Sequence, residues 1–211
     1  GVGGIVRDVY CMGADVTGVL DALRMGTGRR GGGLRARAIL DGVVSGIADY
    51  GNALGVPNLG GDLDFDDGYD ANVLVNVVAV GVVEEEGLVR SRVPGPGDYA
   101  FVLVGKPTDA SGFGGAAFSS GVLDEGEDQR GAVQLPDPFL KRVLNVATYE
   151  AFRRVRERGV PCGFKDLGAG GIACATSELA AAGGCGAEIT LDLAHRVSRP
   201  LAPEVILCAE T

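Results

Sequence analysis

The residues best placed to do chemistry lie in the stretch Phe164-Lys-Asp-Leu-Gly-Ala-Gly-Gly-Ile-Ala-Cys-Ala-Thr-Ser-Glu-Leu179. An acid, Asp166, is followed by Gly168, Gly170 and Gly171 and then by an Ala-rich, helix-forming run. Glycine lets the backbone come close to a ligand, and a helix start offers N–H groups to an anion. A carboxylate beside such a bend can hold a divalent cation that a phosphate also touches. Types and spacing therefore point to a phosphate or nucleotide site with a metal. A second pair, Arg7-Asp8, closes the run Gly1-Val-Gly-Gly-Ile-Val-Arg-Asp8. Its guanidinium fork suits a phosphate or carboxylate, and its acid suits a metal. Each has a plainer alternative: a tight strand-to-helix turn with a solvated Asp, and an adjacent surface ion pair.

Common ligand motifs do not fit. A dinucleotide fingerprint needs a third glycine where Ala173 stands, and the one Gly-Lys, Gly105-Lys106, is followed by Pro107 instead of Ser or Thr. Asp62, Asp64, Asp66, Asp67 and Asp70 cluster, but without the residue order of a calcium loop, so they read as a solvated acidic loop. The single histidine, His195, reads as ordinary surface. Five cysteines without a C-x-x-C pair read as small buried, reduced thiols, not as a disulfide framework or a zinc site.

The elements that must position these groups follow from composition and periodicity. The 211 residues allow one large domain or two small ones, and 46% apolar content suffices for a core. A net charge of −9 disfavours a nucleic-acid surface. No apolar run reaches the ~18 residues of a membrane span, and no secretory signal opens the sequence. The chain starts at Gly1 and stops just after an apolar run, so it is expected to be cut from a longer protein.

Residues 16–25 read in part as a strand. Residues 34–54 show helical spacing, with Ala36, Leu40, Val43, Val44 and Ile47 as a core stripe ended by Gly51 and Gly55. Residues 57–61 read as a turn and 73–83 as a buried strand. Ser91-Arg-Val-Pro-Gly-Pro-Gly97 reads as a linker and a domain boundary. Residues 99–105 read as another buried strand, 108–121 as a Gly/Ser/Ala-rich loop, and 124–130 as a polar link. Asp137-Pro138 is a helix start, with Leu140, Val143, Leu144, Ala147, Ala151 and Val155 as its buried stripe and Gly159 as its end. The alternation in 187–193 predicts a half-buried strand, and 203–210 a short helix or strand.

The set Gly1-Val-Gly-Gly-Ile-Val-Arg-Asp8, Gly46-Ile-Ala-Asp-Tyr-Gly-Asn52, Gly55-Val-Pro57, Asp137-Pro-Phe139, Asp166-Leu-Gly-Ala-Gly-Gly171 and Thr176-Ser-Glu-Leu179 resembles phosphoribosylformylglycinamidine synthase, in the ATP-dependent synthetase subunit of purine biosynthesis. The resemblance covers essentially all 211 residues and corresponds to the middle of the family's first half. It implies an α/β (α+β) fold like aminoimidazole ribonucleotide synthetase, with 1–94 the later part of an N-terminal domain and 95–211 the start of a C-terminal one. It implies a ligase that joins formylglycinamide ribonucleotide, ATP and ammonia through an iminophosphate, with Mg2+ on the nucleotide phosphates. A glutaminase subunit and a small accessory subunit are implied as partners, in the cytoplasm, with no nucleic acid and no membrane.

Carried over residue by residue, the resemblance makes Arg7 and Gln134 substrate-binding and Asp8 and Asp166 metal ligands. Glu210 matches the first member of a Glu-Ser-Gln substrate motif, with Thr211 in place of the Ser. Gly168, Gly170 and Gly171 remain the phosphate-loop candidates. Lys165 stands where a Gln is usual, which makes the local field more positive. The family's catalytic histidines, an ATP-binding lysine and tyrosine and a metal-binding glutamate would precede residue 1, so this stretch alone is expected to be inactive. Alternatives are another enzyme of the superfamily (aminoimidazole ribonucleotide synthetase, selenophosphate synthetase or thiamine-monophosphate kinase) or a non-catalytic nucleotide-binding fragment.

Overall fold

A computed structural model describes residues 1–29, 32–115 and 134–210. The chain divides into two compact units: residues 1–88 with 137–152, and residues 89–136 with 153–211.

The first unit is built on a three-stranded sheet in the order β2-β1-β3. The central strand, β1 (Asp15–Met25), pairs in parallel with β2 (Asn58–Phe65) and antiparallel with β3 (Leu74–Val82). Its alternate residues Val19, Leu23 and Met25 are buried, as expected of a strand with neighbours on both edges. Helix α1 (Val2–Tyr10) packs on β3 and β1, burying Val2, Val6 and Tyr10. Helix α2 (Gly33–Leu54) supplies the parallel crossover from β1 to β2 and ends on Gly55, whose φ of 70° suits a glycine cap.

Several expectations fail in this unit. The glycine run before Arg7-Asp8 is helical, the start of α1 with Gly1 as its N-cap. Gly3 serves close packing there: a Cβ on it would stand 2.6 Å from Tyr50 Cε1 of α2. Residues 57–61 are not a turn. Residues 58–65 are strand β2, because the ladder to β1 satisfies their backbone, and Asp62 and Asp64 ride on it rather than in a loop. The stripe on α2 is not core. Val44 is 52% exposed, and the buried residues are Gly51 and Leu54 at the C-terminal end, where the helix meets its neighbours. β3 is a strand but not a buried one; it is an edge strand, with Val78 and Val82 exposed.

Helix α3 (Pro138–Glu157) is capped as expected: Asp137 Oδ1 accepts from the Leu140 N–H at 2.8 Å. Its apolar stripe is not the buried face. Asn145 and Thr148 are buried, whereas Val143 is 46% exposed. Hydrogen bonds decide the orientation of its first part: Arg142 Nη1 donates to the Leu54 carbonyl at 3.1 Å, and the Tyr149 hydroxyl donates to the Ala14 carbonyl at 2.6 Å. Gly159, with φ of 63°, follows the last turn.

The second unit holds α4 (Gly171–Ala182) and the short α5 (Pro203–Cys208), which pack on each other. Residues 99–105 are not a strand, and Phe101 and Val102 are exposed. Residues 187–193 are not a strand either; Leu191–Leu193 form a 3-10 turn, and Leu193 is 86% exposed. Strand structure needs a partner ladder, which local alternation cannot supply. The one pairing here joins Thr108 to Arg196, among the described residues. Residues 91–97 contain neither helix nor strand. They belong to the second unit, within which the Val93 N–H donates to the Leu179 carbonyl at 3.0 Å. The polar link at 124–130 lies outside the described residues, as does the loop reading from residue 116 on.

Candidate functional site

The residues singled out above fall in both units. Arg7 and Asp8 sit in the last turns of α1, with Arg7 Nε 3.5 Å from Asp8 Oδ1. The Arg7 side chain is largely buried, while that of Asp8 is half exposed. In the second unit lie Gln134, Asp166, the glycine bend and Glu210. Thr211 lies outside the described residues.

The glycine bend behaves as its sequence requires. The Gly171 N–H donates to the Gly168 carbonyl at 2.9 Å, and Gly170 takes φ of 77° as the helix cap. An added Cβ would meet Cys174 Sγ at 2.3 Å from Gly170, and the Ala209 carbonyl oxygen at 2.5 Å from Gly171. The absence of a side chain at Gly171 thus lets α4 start directly against the 207–209 backbone. That backbone leads to Glu210. Two positions before the bend, Asp166 is half-buried. Lys165 Nζ is 4.0 Å from its Oδ1 and 2.8 Å from Glu178 Oε2, so the lysine's charge is shared between two carboxylates.

Gln134 and Glu210, 76 positions apart by numbering, meet at Gly112. Gly112 has φ of 71°, and a Cβ on it would lie 2.7 Å from Glu210 Cβ and 3.4 Å from both Glu210 Cγ and Gln134 Cγ. An amide that both donates and accepts beside an acceptor carboxylate can read hydroxyl and amide groups of a polar ligand.

The sequence marks 108–121 as a loop but not the contacts that fasten Gly112 within it. Lys106 Nζ is 3.5 Å from Asp109 Oδ2 and 3.2 Å from Ser111 Oγ, and the Ser111 N–H donates to Asp109 Oδ1 at 2.6 Å. Burial opposes ionisation of Asp109, but the Ser111 hydrogen bonds and the Lys106 charge outweigh it and hold the carboxyl below its ordinary value. Thr108, 2% exposed, pins the same loop: its N–H donates to the His195 carbonyl at 2.9 Å and its carbonyl accepts from the Val197 N–H at 3.0 Å. The available signal was an Asp two residues before Ser111, the spacing of an Asx turn.

Among the described residues, no three His, Cys, Asp or Glu side chains gather as a metal cage. Asp8, half exposed, and Asp166, half-buried, are each single carboxylates, the kind of donor Mg2+ uses when water and phosphate oxygens complete its shell. Of the five cysteines only Cys11 is buried, while Cys162 and Cys174 are exposed, which corrects the reading of buried thiols. No helix among the described residues is long and apolar enough to cross a membrane.

Comparison with known proteins is specific. The profile of the AIR synthase related protein N-terminal domain matches residues 1–83, and that of the C-terminal domain matches residues 95–211. The phosphoribosylformylglycinamidine synthase subunit PurL of Methanothrix thermoacetophila is 55% identical over 216 residues, covering 100% of this chain and 28% of that protein. Among solved structures, T. maritima PurL complexed with FGAR matches with a TM-score of 0.80 and 41% identity, over 100% of this chain and 32% of that one. T. maritima PurL complexed with ATP matches with a TM-score of 0.74 and 38% identity, over 100% and 30%. The chain therefore spans under a third of the length of these relatives. The mixed helix and strand content agrees with the α/β fold expected from the sequence.

Proposed function

The chain belongs to the AIR synthase related protein family, and from that premise we propose that it is part of the ATP-dependent synthetase subunit of phosphoribosylformylglycinamidine synthase. The observation that carries the reading is the chain-long likeness to such subunits at 55% identity. The meeting of Gln134 with Glu210 supports it from the side of geometry.

In this reading the whole protein is a C–N ligase of purine biosynthesis. ATP phosphorylates the amide oxygen of formylglycinamide ribonucleotide, and ammonia then displaces phosphate to give the amidine, with ADP released. In the second unit Gln134, Glu210 and Thr211 contact the ribonucleotide, Gln134 and Glu210 by hydrogen bonds, and in the first unit Arg7 is a substrate-binding residue by its guanidinium fork. Asp8 in the first unit and Asp166 in the second would each be able to offer a carboxylate oxygen to Mg2+, which would supply charge neutralisation for the nucleotide phosphates. Gly168, Gly170 and Gly171 bring the α4 N-terminus close to the same phosphates.

Residues 1–94 are the later part of the N-terminal-like domain and 95–211 the first part of the C-terminal-like one. A glutaminase subunit supplies ammonia, a small accessory subunit completes the complex, and the enzyme works in the cytoplasm. Acid–base histidines come from outside this stretch, so the 211 residues alone do not turn over. The test is product analysis with a full-length protein containing this chain. Amidine and ADP should form together from ammonia, ATP and formylglycinamide ribonucleotide; ADP formation without the ribonucleotide, or no amidine, refutes the reading.

A further inference from the structure

The loop from Lys106 to Gly112 has no role in the reading above, yet the two proposed ribonucleotide-binding side chains of the second unit meet on it. We propose that Gly112 is a positioning residue, held by the Lys106–Asp109–Ser111 knot, that sets Glu210 against Gln134 for the ribonucleotide. The inference rests on the function proposed above and extends it to residues that do not themselves bind.

Three observations carry it. Gly112 takes φ of 71°, a conformation other residues rarely adopt, and an added Cβ would stand 2.7 Å from Glu210 Cβ. No rearrangement confined to the tip of a flexible side chain relieves that overlap, because Glu210 Cβ is fixed by its backbone. That backbone runs close against Gly171, where an added Cβ would stand 2.5 Å from the Ala209 carbonyl oxygen, and the Ala209 N–H donates to the Val205 carbonyl at 2.9 Å.

The knot then holds the loop from the other side. Lys106 spans Asp109 and Ser111, Asp109 accepts the Ser111 N–H, and Thr108 is buried and bonded through its backbone to residues 195 and 197. Each fastening lies within six residues of Gly112, and none of these groups is a proposed ligand contact. Small misplacements of positioning groups cost catalysis far more than their size suggests.

The test uses a full-length protein containing this chain, with Gly112→Ala, Asp109→Ala and Asp109→Asn, and reads KM for the ribonucleotide and for ATP beside Tm. Gly112→Ala should raise the ribonucleotide KM by about tenfold or more, with the ATP KM within about twofold. Asp109→Ala should raise the ribonucleotide KM in the same direction. Asp109→Asn, which keeps an oxygen for the Ser111 N–H, should recover most of the loss. If Gly112→Ala fails to fold, the Asp109 pair decides alone. An unchanged ribonucleotide KM in Asp109→Ala, equal shifts in both KM values, or no recovery in Asp109→Asn overturns the proposal. Failure of the parent protein to use the ribonucleotide at all refutes the function and, with it, this inference.

Discussion

The Tyr149 hydroxyl donates to the Ala14 carbonyl at 2.6 Å and accepts from the Val16 N–H at 3.3 Å, so one phenol on α3 satisfies both backbone groups at the entrance to β1. Its ring also meets Tyr10 edge-on, at 6.4 Å between centroids. This contact ties residues more than 130 positions apart within the first unit.

Tyr149→Phe keeps the ring and removes the hydroxyl, leaving two part-buried backbone groups without it. The expected loss is about 1–3 kcal/mol, read as a fall in denaturation midpoint. Burial raises the Tyr149 pKa, the Val16 hydrogen bond acting against it. A raised folded value means that its contribution is complete below the ordinary tyrosine range and fades as pH climbs through the folded value. Stability of the parent should therefore fall above about pH 10 more steeply than that of Tyr149→Phe. Parallel alkaline profiles contradict the assignment.

Gly3 and Gly4 are neighbours on α1 with opposite expectations. A methyl at Gly3 would press on the Tyr50 ring at 2.6 Å, whereas one at Gly4 would meet nothing within 4 Å. Gly3→Ala should destabilise by about 1–3 kcal/mol through overpacking. Gly4→Ala should stabilise by about 0.5–1 kcal/mol, because alanine has the better helix propensity. Thermal unfolding of the two variants side by side checks both signs.

Lys165 places a positive charge 4.0 Å from Asp166 and is drawn away by Glu178 at 2.8 Å. If Asp166 holds Mg2+ as proposed, Lys165→Gln should tighten the metal by roughly two- to fivefold, the order of one charge whose effect Glu178 partly offsets. Calorimetric titration of Mg2+ in the presence of a non-hydrolysable nucleotide measures it. Weaker or unchanged metal binding contradicts the placement of the ion at Asp166.

What the sequence disclosed was local. The cap at Asp137, the αL glycine after α2, and the bend at Gly170-Gly171 are each set by residues within a few positions, and each stands as expected. What it hid was non-local. β2 looked like a turn because Gly60, Gly61 and alternating aspartates disfavour strands in isolation; its pairing with β1 overrides them. The apolar stripe of α3 misled because Arg142 and Tyr149, not the stripe, choose the face that α3 presents.

At the site, Asp166 and its bend were legible as one motif. The meeting of Gln134 and Glu210 was not, since it depends on a loop whose fastening by Lys106, Asp109 and Ser111 has no named pattern. Resemblance to a family supplied those two residues; the fold supplied the reason they stand together.

The most direct measurement is equilibrium binding of formylglycinamide ribonucleotide to a full-length protein containing this chain, beside Gln134→Ala, Glu210→Ala and the double variant. Each single change should weaken binding by about tenfold or more, and the double change should cost less than the two combined, as for side chains sharing one ligand. Binding at parental strength in both single variants would contradict it.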